Sequence, residues 1–101
     1  MIIQIQFEYE ADTKYIICST KIGRKIRRLQ TEFDEWLYDR ENNHPYWEIS
    51  HEDEKGNKVY GVCFNAEAFV YWLNSVRFRR GKKVARLIDA PNYPAKKTIR
   101  F

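Results

Sequence analysis

Cysteine is scarce in this chain. Cys18 and Cys63 are the only two, too few for a disulfide scaffold. The opening MIIQIQFEYE has no basic n-region and alternates polar with apolar residues, so it does not read as a signal peptide. Reduced thiols in a cytoplasm are therefore the expectation. Long apolar runs are missing too: none approaches the roughly 18 residues a membrane span needs, and no membrane partner is expected. The chain contains no GxGxxG, P-loop, CxxC or HExxH. With those signatures absent, neither a cofactor nor a metal is expected, and the chain reads as a non-enzyme. No low-complexity stretch or linker divides the 101 residues, so residues 1–101 form one α+β domain near the commonest domain size.

The most informative shortage is of acid near one end. Residues 77–101 hold nine Lys or Arg and a single acid, Asp89, for a net charge of +8. Residues 1–76 hold nine basic and thirteen acidic residues, net −4. A one-signed surface field concentrates polyanions. The remaining composition, 44% hydrophobic and 16% aromatic, belongs to a folded globule rather than a disordered tail.

Periodicity supplies the elements. Residues 2–9 alternate, with Ile3, Ile5, Phe7 and Tyr9 on one side, which predicts a half-buried strand. Glu10–Thr13 reads as a turn and Tyr15–Cys18 as the return strand. Pairing positions that sum to 23 sets Phe7 opposite Ile16 and Ile5 opposite Cys18, with Tyr15 on the outer face. The spacing of Ile22, Ile26, Leu29, Phe33, Trp36 and Leu37 predicts a helix over 22–40, capped by Thr20, with Gly23 weakening the first turn. A second hairpin joins 46–52 to 58–64 around Gly56; pairs summing to 111 set Ile49 opposite Val62 and Trp47 opposite Phe64. A second helix starts at the N-cap Asn65, carries Phe69, Val70, Leu73 and Val76 as its stripe, and ends at Gly81 with Arg77, Arg79 and Arg80 in its last turn. Residues 84–88 and 96–101 read as further strands. The order ββα-ββα-β(β) predicts an α+β two-layer sandwich, a mostly antiparallel sheet with two helices on one face. Its expected core is Ile5, Phe7, Ile16, Leu29, Phe33, Trp47, Ile49, Val62, Phe69 and Leu73.

Two basic clusters are the candidate site. One is Arg77, Arg79, Arg80, Lys82, Lys83 and Arg86, with Lys96 and Lys97 further on; cations of this density neutralise phosphates and release counterions. The other, Arg24, Lys25, Arg27 and Arg28 after Lys21, opens the first helix, and that helix closes on Asp34, Glu35, Asp39 and Glu41. Both ends oppose the helix macrodipole, a small and screened effect that an Arg28–Glu32 pair one turn apart would offset. The clusters form one patch only if the two helices run antiparallel; the sequence leaves the direction open. The seven tyrosines suit base stacking or protein contact equally. A Cys63–His51 nucleophile pair and a His44–Glu48–His51 metal set are weak, because strand alternation splits both. The expected function is a small non-enzymatic module that engages nucleic acid, or a nucleic-acid-bound protein, through these basic residues. The alternative is a protein–protein interaction module, such as a phage or mobile-element inhibitor of a host protein, using exposed aromatics and the acidic stretch 32–54.

Overall fold

Ile3 and Ile5 are buried while Gln4 and Gln6 are half-exposed, so the alternation at the start does make a strand, β1 (Ile2–Gln6). The computed structural model describes residues 1–8, 13–80 and 82–101. β1 pairs antiparallel with β2 (Lys14–Cys18), Ile3 opposite Ile16 and Ile2 opposite Ile17. The pairs sum to 19 rather than 23. A slip of four residues preserves the period of two, so each side chain keeps its face although its partner changes. Tyr9 and most of the turn expected at Glu10–Thr13 lie outside the described residues. β2 also pairs with β5 (Ala85–Ile88), and β1 pairs in parallel with β6 (Lys97–Arg100), giving the order β5-β2-β1-β6.

The first helical stretch is two helices. Ser19, not Thr20, caps α1 (Thr20–Arg24), its side chain accepting from the Ile22 amide. A break at Lys25 then opens α2 (Ile26–Tyr38). Gly23 is buried where a Cβ would run into the Met1 side chain, so close packing, rather than flexibility, explains the glycine. Asn65 caps α3 (Ala66–Trp72) by accepting from the Ala68 amide at 3.0 Å. The helix continues as a π turn over Leu73–Arg77 and stops there. Arg79 and Arg80 therefore lie beyond the helix and not in its last turn, and Gly81 lies outside the described residues.

The molecule is thus mixed α+β, with six strands in two mostly antiparallel sheets and three helices. Helices and sheet meet in a core of Ile3, Ile5, Ile16, Leu29, Phe33, Phe69, Leu73 and Ile99. Phe33 sits at its centre, with the rings of Trp36, Phe64, Phe69, Trp72 and Phe101 at centroid distances of 5.2 to 6.1 Å. Phe7 packs against this cluster while staying partly exposed.

The second hairpin departs from expectation. β3 (Trp47–Glu52) and β4 (Lys58–Val62) form a sheet of their own. Trp47 pairs with Val62 and Ile49 with Tyr60, and the register shifts at Ser50, so the expected 111 pairing does not occur. Beyond Trp47 every β3 residue is exposed; Ile49 retains 51% of its surface and leaves the core list, while Trp47 and Val62 are half-buried. Alternation alone selects an apolar face without showing what covers it. The arm turns at Asp53, whose carboxylate accepts from the Lys55 and Asn57 amides, with Gly56 at φ 79°.

Cys18 is buried in the core and Cys63 is exposed, both as free thiols. Burial also pushes the Cys18 thiol above its ordinary pKa. Native protein treated with a maleimide should take up one equivalent promptly, at Cys63, and a second only on denaturation. Fast labelling at Cys18 in native protein would contradict the packing of β2.

Candidate nucleic-acid interface

Strand register decides where the cations gather. β1 begins beside the end of β2, where the Cys18 amide donates to Met1 O at 2.9 Å. Cys18 is in turn opposite Ala85, the first residue of β5, and Ile3 is opposite Lys97, the first of β6. One end of the sheet therefore holds the start of three strands and the exit from β2 into α1. Lys97 Nζ donates to Arg24 O at 3.0 Å, tying α1 to the start of β6. Gln30 Nε2 donates to Arg100 O, so α2 rises alongside β6 in the same direction. α3 runs the other way: Phe69 packs on Phe33, Arg77 reaches Glu32, and Phe78 lies near Lys25.

The helices are antiparallel, and the two basic clusters converge. Lys25 Nζ stands 5.4 Å from the Phe78 ring centroid and the Arg77 guanidinium 4.7 Å from the same ring. Thirteen of the 18 cations, the twelve candidates and Lys21, thus lie on or beside the element ends that meet at this pole. No acid occurs in residues 13–31 or 68–88, the segments that build most of it. Ten of the twelve candidates are exposed; Lys25 and Lys97 are half-buried. Lys82, Lys83 and Arg86 border a cleft of 470 Å³ against Ile17, Cys18 and Ser19.

Three candidates have structural duties. Lys97 holds the Arg24 carbonyl, Lys25 lies over Phe78, and Arg77 Nε pairs with Glu32 Oε1 at 3.0 Å. That is the one ion pair among the described residues, and it replaces the Arg28–Glu32 pair that helix spacing suggests. The other nine make no side-chain hydrogen bond or ion pair with any described residue.

Asn74, which sequence reasoning passed over, shapes the site. Its Nδ2 donates to Ala85 O at 2.8 Å, while Oδ1 accepts from the Val84 and Ala85 amides at 2.8 and 3.0 Å. It pins the basic segment leading into β5 against the π turn. A polar residue between Leu73 and Val76 in an apolar helix stripe was the available signal. Asn74→Ala strands two donors and an acceptor and should destabilise the fold by about 2–3 kcal/mol. Amide exchange at Val84 and Ala85 should accelerate; unchanged exchange there would show that Asn74 does not hold this segment.

The remaining candidates disperse. His44 is buried; its Nδ1 accepts from the Tyr46 amide, so Nε2 carries the proton and donates to Leu37 O at 2.8 Å. Its ring lies 4.7 Å from Trp36 and 5.1 Å from Trp47, a packing position with both nitrogens engaged. His51 is opposite Val59 and Cys63 lies beyond the end of β4, so the two are not neighbours. Glu48 faces Gly61 rather than Cys63. Among the described residues no group of three His, Cys, Asp or Glu could hold a metal ion. Of the tyrosines, Tyr38, Tyr60, Tyr71 and Tyr93 are well exposed, and Tyr15 is half-buried on the outer face of the sheet. Comparison with protein-family models, curated proteins and solved structures finds no match for this chain.

Proposed function

We propose that this domain binds nucleic acid through the phosphate backbone, using the basic pole built by α1, the start of α2, the end of α3 and the entries to β5 and β6. The observation that supports it is the convergence of two basic clusters, distant in sequence, on one acid-poor end. Stability does not account for the arrangement. α2 has no acid in its first turn and no base in its last, so its charges oppose its dipole at both ends. Nine cations with no described intramolecular partner suit a ligand whose charges are regularly spaced, and the gain on binding comes from released counterions.

Such contacts position a protein without reading bases. Affinity should therefore vary little with sequence and fall steeply with salt. Titration of a labelled 20-base-pair duplex should show a loss of about 10³-fold or more between ~50 and ~200 mM salt if some six phosphates are neutralised. Absence of binding at low salt, with a protein retained from nuclease-treated extract, would replace this reading with a protein-interaction module.

A further inference from the structure

At the opposite end of the molecule three phenylalanine rings make a floor. Phe7, Phe64 and Phe101 lie 5.4 to 5.8 Å apart, centroid to centroid. They line an open cleft of 600 Å³, in the range of small-ligand sites. Two carboxylates border it, Asp34 from α2 and Glu8 from the end of β1, and Tyr38 stands at its edge. Neither carboxylate has an ion-pair partner among the described residues, although Arg100 borders the same cleft. Asp34 is half-buried, and desolvation pushes its carboxyl above the ordinary range. An adjoining hollow shares Phe7, Glu8, Arg100 and Phe101 and is also lined by Gln6, whose Oε1 is buried with no donor among the described residues.

Acceptors without donors beside aromatic rings call for a cation with N–H groups. A guanidinium meets both demands, because it forks onto a carboxylate and stacks on rings. The surroundings are net acidic: Asp34, Glu35 and the C-cap Asp39 close α2, Glu67 opens α3, and the β3–β4 arm carries Glu48, Glu52, Asp53 and Glu54 against Lys55 and Lys58. We propose that this cleft is a docking site for an arginine side chain of a partner polypeptide, held between Asp34 and the Phe7–Phe64–Phe101 floor. The acidic arm draws a basic partner towards it. The site stands whether or not the opposite pole binds nucleic acid.

Cys63, exposed and on the cleft wall, is a built-in reporter. The probe is the capped tripeptide acetyl-Gly-Arg-Gly-amide, with the neutral citrulline analogue as control. The arginine peptide should slow alkylation of Cys63 saturably and shift the ring proton resonances of Phe7, Phe64 and Phe101. Asp34→Asn, checked for native melting, should weaken the effect about tenfold, the scale of one charge-assisted hydrogen bond. Arg100→Gln should strengthen it by removing a like charge. Equal protection by the citrulline peptide would overturn the proposal. So would an undiminished effect in Asp34→Asn, or no protection by the arginine peptide at any concentration.

Discussion

Replacing Arg79, Arg80, Lys82 and Lys83 together by Glu should lower affinity for duplex nucleic acid by about a thousandfold or more at ~0.1 M salt, on the counterion-release scale of roughly one decade per phosphate contact. The change takes residues 77–101 from +8 to zero, since four reversals move the charge by eight units. All four side chains are exposed and none makes a hydrogen bond to a described residue, so the fold should survive. The loss should be similar for every sequence, because base edges are not being read. A folded variant with undiminished affinity for both single and double strands would remove nucleic acid as the ligand of this pole.

Phe33→Ala should destabilise the domain by about 3–5 kcal/mol, the range for truncating a buried aromatic. Phe33 is fully buried and touches rings from α2, α3, the segment before α3 and the end of β6. Little can collapse into the space, because its neighbours are rigid rings fixed by separate elements. For a domain of this size the melting temperature should fall by at least ~10 °C. A drop of only a degree or two would mean the aromatic centre does not hold the two helices together, and the antiparallel arrangement that unites the basic clusters would lose its support.

Period and polarity made most of this fold legible. The alternation of Ile3 and Ile5, the stripe from Ile26 to Leu37 and the Asn65 cap are local signals, and each produces the element it predicts. Register was less legible. A four-residue slip in the β1–β2 pair preserves every face, so alternation cannot distinguish a sum of 19 from one of 23. The fate of the β3–β4 arm was not legible either. Ile49 and Val62 suit a buried face, but only tertiary packing shows that Ile49 stays half exposed. The basic residues could be read off one by one, whereas their union into one pole depends on helix direction, a long-range property. The cleft of Asp34, Phe64 and Phe101 gathers three distant segments and leaves no local trace.

The decisive measurement is the salt dependence of duplex binding, made on the parent and on two neutralised variants, Arg27→Gln with Arg28→Gln and Lys82→Gln with Lys83→Gln. If both clusters form one surface for one nucleic acid, each pair should lower the slope of log affinity against log salt by about two on the same duplex. Together they should lower it by about four. A slope that responds to Lys82 and Lys83 but not to Arg27 and Arg28 would contradict a single basic pole.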